Sequence, residues 1–146
     1  MTDGVFNYAK GRAVEKIADA AANVGLMLLK ANEAEATLID RTDLANLLAQ
    51  GGNTEADFTN YARKTGITGT ITVDTTNDWV DVDMPDQTWS SAGGASNNTL
   101  TKAVPFYEDS AADSGRIPLT HQDFAVTTNG NDLIANVNAS GFLRVS

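Results

Sequence analysis

The stretch TITVDTTNDWVDVDM, residues 70–84, alternates apolar and polar side chains on both sides of a short Asp/Thr/Asn centre. Ile71 and Val73 share one parity before that centre, and Val80, Val82 and Met84 share one parity after it. A period of two marks half-buried strands, so the stretch predicts an antiparallel hairpin with these apolar residues on its core face. Trp79 has the parity of Asp81 and Asp83, which puts an aromatic ring on the acidic face. A ring so placed needs a cover, from its own chain or from a partner, and such aromatics are enriched at interfaces.

Outward from the hairpin, the C-terminal side keeps the same texture. Residues 58–64, 100–107, 116–119, 124–127, 133–137 and 142–145 read as short strands. Turn signals separate them: Pro85-Asp86, Gly93-Gly94, Asp113-Ser-Gly115 and Asn129-Gly130, the last a hairpin signal. On the N-terminal side, residues 13–23 have helical composition, with Val14, Ile17, Ala18 and Ala21 on one face. Residues 26–29 read as a buried strand and 36–39 as another. Thr42 is placed to cap a helix over residues 43–49 that buries Leu44, Leu47 and Leu48. Residues 1–12 read as an extended arm, with Val5, Phe6 and Tyr8 bracketed by Gly4 and Gly11. Such an arm docks either on a partner or as an edge strand of its own sheet. The expectation is one mainly β domain over residues 13–146, antiparallel and sandwich-like, with the arm over 1–12 and one or two short helices.

Composition narrows the function. A chain of 146 residues can bury a full core without staples. It has no cysteine, which removes disulfides, zinc-thiolate sites and thiol catalysis, and its lone histidine, His121, rules out multi-histidine metal sites. The longest apolar run, residues 25–29, is far short of the ~20 residues of a membrane helix. The opening MTDGVFNYAKGR lacks the basic start and apolar core of a signal peptide. Net charge is −9, and it is uneven: residues 1–73 carry nine acids against seven bases, residues 74–146 ten acids against three. Nucleic-acid binding needs a basic footprint, so neither nucleic acid nor membrane is expected as a partner. A protein with a basic surface fits better.

The chemistry-bearing residues point away from catalysis. His121 follows Pro118 in a segment that reads as a turn, and no G-x-S-x-G motif accompanies it. Five aspartates (Asp74, Asp78, Asp81, Asp83 and Asp86) fall within thirteen residues. On a strand, however, Asp81 and Asp83 stand about 7 Å apart, and the run lacks the glycine and final glutamate of an EF-hand loop. A solvated, aggregation-resistant face explains them better than calcium. No cofactor, metal or catalytic residue is expected, and the chain reads as non-enzymatic.

Several runs carry a family resemblance. The opening Asp3-Gly-Val-Phe-Asn7 with Ala9-Lys-Gly-Arg12 resembles the start of small structural proteins encoded in tailed-bacteriophage genomes. Thr76-Asn-Asp78, Val80-Asp-Val-Asp83 and Pro85-Asp-Gln-Thr-Trp89 fit the same family, as do Ile117-Pro-Leu-Thr-His121, Asp123-Phe-Ala-Val-Thr127 and Gly141-Phe-Leu-Arg144. The likeness covers about a third of the chain, is spread along all of it and includes no biochemical signature. It implies a virion component, and with the acidic surface it leads to a capsid decoration or cement protein on the phage head. Its partners would be the major capsid protein and further copies of itself, as a homotrimer. Val5, Phe6 and Tyr8 are the expected contacts, with Lys10 and Arg12 as charge partners and Trp79 beside them. On that reading, deleting residues 1–12 abolishes particle association and leaves the β domain folded. The rivals are a neck or tail adaptor or fibre-attachment protein, and a receptor- or carbohydrate-binding module using Trp79 or Trp89 as a stacking platform.

Overall fold

A computed structural model describes residues 4–6, 23–77 and 79–145. The fold is mainly β with antiparallel sheets, as the alternation predicts, and among the described residues it has two short α-helices. Its spine is the pair β2 (Val24–Ala31) and β8 (Lys102–Glu108), in register from Val24↔Tyr107 to Leu29↔Lys102. Residues 24–29 and 102–107 are all buried, so both faces of this pair are covered. Two short strands share the free edge of β2: β3 (Thr54–Glu55) at its end and β4 (Lys64–Ile67) at its start. Two more share the free edge of β8: β9 (Arg116–Pro118) and β10 (Thr120–Asp123). With β1 (Gly4–Val5) beyond β10, these form a seven-stranded sheet. A three-stranded sheet orders β12 (Leu143–Val145), β6 (Trp79–Asp83) and β5 (Thr70–Asp74), and β7 (Gln87–Trp89) pairs with β11 (Leu133–Ala135).

Gly25 shows how closely the spine packs. A Cβ there would overlap the Phe106 ring and crowd the Lys64 carbonyl oxygen. Gly25→Ala is expected to destabilise the fold by about 1–3 kcal/mol through overpacking, read from the urea midpoint.

Several local expectations are corrected. Residues 36–39 are not a strand: Glu35–Leu38 is a single helical turn, α1, with Leu38 wholly buried. The second helix, α2, spans Leu44–Leu48, and its cap is Asp43, not Thr42: the Asp43 side chain accepts from the Asn46 N–H at 2.7 Å. Residues 58–63 form no strand. Asn60 takes a left-handed φ of 69°, and the Tyr61 N–H donates to the Phe58 carbonyl, so the chain turns and packs Phe58 edge-on against Tyr61. The strand expected at 124–127 lies earlier, at Thr120–Asp123, so His121 is a buried strand residue and not a turn residue. Asn129-Gly130 turns the chain, but β11 beyond it pairs with β7 and not with the strand before the turn. Residues 13–22 of the expected first helix lie outside the described residues.

Ion pairs tie the loops to the sheets. Arg63 donates twice to Glu55 at 2.6 Å and also to Asp113, which Arg116 shares at 3.0 Å while holding Glu108 at 3.1 Å. Arg41 grips Glu33 through two bonds, and Asn53 donates to the same carboxylate. The Arg41 bonds hold the Glu33 carboxyl below its ordinary range, and Arg63 does the same for Asp113. Depressed carboxylates stabilise the fold above their unfolded value near about 4, and that contribution is lost as pH falls through the folded values. Acid titration followed by circular dichroism is therefore expected to hold the native signal down to about pH 4 and lose it below. Loss beginning well above that value would contradict the assignment.

Candidate interaction surface

The hairpin forms with the register that parity predicts: Ile71 faces Val82, Thr72 faces Asp81 and Val73 faces Val80. The Asp74 carboxylate closes the turn by accepting from the backbone N–H groups of Thr76 and Asn77. On the far side β12 adds Leu143 opposite Val82, Arg144 opposite Asp81 and Val145 opposite Val80. A left-handed Gly141 (φ 84°) leads into β12; a Cβ there would overlap the Val82 carbonyl oxygen, which accepts from the Phe142 N–H at 2.9 Å.

Alternation gives this sheet two faces. One carries Leu143, Val145, Val80, Val82, Ile71 and Val73. Leu143 and Val82 are buried, and Val80 and Val145 pack partly against the core. Ile71 is 37% exposed and Val73 65% exposed, so β5 carries the apolar face out into solvent. This corrects the expectation that both lie on the core face. Among the described residues β6 is the only strand paired with β5. The edge has no Lys, no Pro and no register shift against β6, the devices that ordinarily blunt a free strand.

The other face carries Trp79, Asp81 and Arg144. The Arg144 guanidinium lies 3.7 Å over the Trp79 ring centroid and donates to both Asp81 carboxylate oxygens, at 2.6 and 2.8 Å. Those bonds lower the Asp81 pKa and raise that of Arg144. The cover that Trp79 requires therefore comes, on one ring face, from its own chain. A solvent-screened cation–π contact of this kind is a weak stabiliser.

The remaining predicted contacts are placed differently. Gly4 and Val5 pair with His121 and Thr120, so this part of the arm is an edge strand of the chain's own sheet. Phe6 is fully buried, edge-on to the His121 ring at 5.6 Å between centroids, and is no surface contact. Tyr8, Lys10 and Arg12 lie outside the described residues. The arm and the hairpin do meet at one feature: Gly4 and Arg144 line the same cleft of about 680 Å³, with Gln122, Asn136, Asn138 and Ser140. Arg144 was absent from the sequence-based contacts, although its place opposite Asp81 follows from pairing the C-terminal strand with the hairpin. Among the described residues no three His, Asp or Glu side chains come together to hold a cation.

Compared with protein-family models, with curated proteins and with solved structures, the chain matches none.

Proposed function

We propose that this chain is a non-enzymatic structural protein of a tailed-phage virion. In this reading it decorates the capsid, with several copies bridging neighbouring major capsid protein subunits on the outside of the head. The observation that carries the reading is the open β5 edge with Ile71 and Val73 facing solvent. Its backbone groups, which no strand among the described residues pairs on the side away from β6, can extend a neighbour's sheet. Covering its two aliphatic side chains stabilises the contact at about 25 cal/mol per Å² of buried apolar surface. One such contact is weak, and repetition over a symmetric shell makes it strong. The acidic second half keeps the decorated surface soluble and suits a basic partner. The likeness of the opening, middle and closing runs to phage structural proteins supports the same conclusion.

The test is binding to purified heads that lack this protein. The native chain is expected to co-sediment with them, and an Ile71→Lys/Val73→Lys variant to remain in the supernatant with its thermal unfolding little changed. Equal binding by a folded variant would remove the β5 edge from the account.

The polar cleft beside Arg144 favours a second reading, a carbohydrate-binding module. Neither tryptophan offers it an open platform: Arg144 lies on Trp79, and Trp89 is buried. Saturable binding on a glycan array, lost on substitution of Asn136 and Asn138, would favour it.

A further inference from the structure

Lys102 opens β8 and is 0% exposed, a rare position for an ammonium group. Its Nζ stands 2.5 Å from Asp123 Oδ1 and 2.5 Å from Glu35 Oε1. Asp123 is its direct register partner on β10, and Glu35 comes from α1. Leu29, its register partner on β2, and Val104, on the same face of β8, are both wholly buried. His121 shares the Asp123 face of β10.

One carboxylate is enough to pair a lysine. The second changes what the cluster can do. The three side chains of Lys102, Asp123 and Glu35 sum to one net negative charge whether they are an ammonium and two carboxylates or a neutral amine, one carboxylic acid and one carboxylate. Burial favours the neutral amine, and hydrogen bonds from Lys102 to Asp123 and Glu35 outweigh it, leaving the pKa raised. The ion pair is thus the resting state, and the amine is a minor form reached by one proton transfer.

We propose that Lys102 and Asp123 close an intramolecular isopeptide bond, with Glu35 carrying the proton, so that β8 and β10 become covalently joined. A proton first moves from the Lys102 ammonium to the Asp123 carboxylate. The free Nζ electron pair attacks Asp123 Cγ and a C–N bond forms. Nζ loses a proton to Glu35. Glu35 returns that proton to the departing hydroxyl as the C–O bond breaks, and one water leaves. Glu35 ends as it began, and nothing is oxidised or reduced. The product replaces an ion pair, with Lys102 fully buried and the Asp123 side chain 26% exposed, by an uncharged amide, which removes the desolvation cost of the buried ammonium. It also closes a loop between residues 21 apart in the chain, restricting the unfolded state as a disulfide does.

The test is mass spectrometry on the full chain, purified folded and incubated at neutral pH for days. The expected result is an intact mass one water below that of the sequence after allowing for N-terminal processing, with a branched tryptic peptide joining the Lys102 and Asp123 segments. Lys102→Arg, which keeps a cation in place, and Asp123→Ala are expected to show the full mass. Glu35→Gln is expected to fold, by circular dichroism, and to remain unlinked or to link much more slowly. Full mass in the native chain, with Lys102 and Asp123 recovered in separate linear peptides, would overturn the proposal. So would a water loss that maps to an aspartyl succinimide elsewhere.

Discussion

Truncating Phe6 to alanine is expected to destabilise the protein by about 3–5 kcal/mol, the range for emptying a buried aromatic site. Phe6 is 0% exposed, its ring meets His121 edge-on, and its N–H donates to the Leu119 carbonyl at 3.3 Å. The cavity would open where β1 joins β10, a place held by a two-residue ladder. Urea unfolding of Phe6→Ala checks this directly, and a loss under about 1 kcal/mol would contradict the burial. The same geometry reverses the expectation for the arm: deleting residues 1–12 removes a core side chain, so the remaining chain is expected to unfold at lower denaturant. A particle-binding defect in that deletion would not by itself identify a contact surface.

Trp89→Ala is expected to cost a similar amount, about 3–5 kcal/mol. The indole is 2% exposed, lies 6.4 Å from the Tyr61 ring in a stacked pair, and donates its Nε1–H to the Ala62 carbonyl at 2.8 Å. The Lys64 ammonium sits 5.0 Å from its centroid. Removal takes away the centre around which the 58–63 turn folds. Trp89→Phe keeps most of the apolar volume and loses the hydrogen bond to the carbonyl of the exposed Ala62, so a smaller loss is expected, of about 1 kcal/mol. Equal losses for the two variants would show that the hydrogen bond, and not the ring volume, dominates. Trp79→Ala, by contrast, removes a partly buried ring that packs on one cation and is expected to cost less than Trp89→Ala.

The parts of this structure legible in the sequence were those set by strict alternation. From Thr70 to Asp83 the polar centre and the parity on either side determined the strand pairing, and Trp79 did fall on the acidic face. What alternation could not say was how far the apolar face is covered. Ile71 and Val82 pair with each other, yet one meets solvent and the other the core, because coverage depends on elements distant in sequence. Short elements were misread for a related reason. Leu38 and Ile39 are adjacent apolar residues that suit a strand, and a single turn of helix is too brief to show its own period. Phe58 and Tyr61 carry strand-forming rings, but Asn60 between them takes the left-handed conformation and breaks the run.

The polar clusters were least legible. Lys102 stands at the head of the apolar run Ala103-Val104-Pro105-Phe106, where its partners come from residues 67 positions before it and 21 after. Such a lysine within an otherwise buried strand is a signal in hindsight, since burial of a charge requires a counter-charge. Arg144 gave no local signal: its contacts with Trp79 and Asp81 depend on β12 returning to the hairpin.

The most direct measurement of the central claim is the copy number of this chain in purified phage particles from the source of the sequence, by quantitative mass spectrometry against the major capsid protein. A decoration protein is expected in a fixed ratio to the shell subunits, on the scale of one decoration subunit per few capsid subunits. A count matching a single closed ring would place the chain at the neck or tail, and its absence from the particle would contradict a virion role altogether.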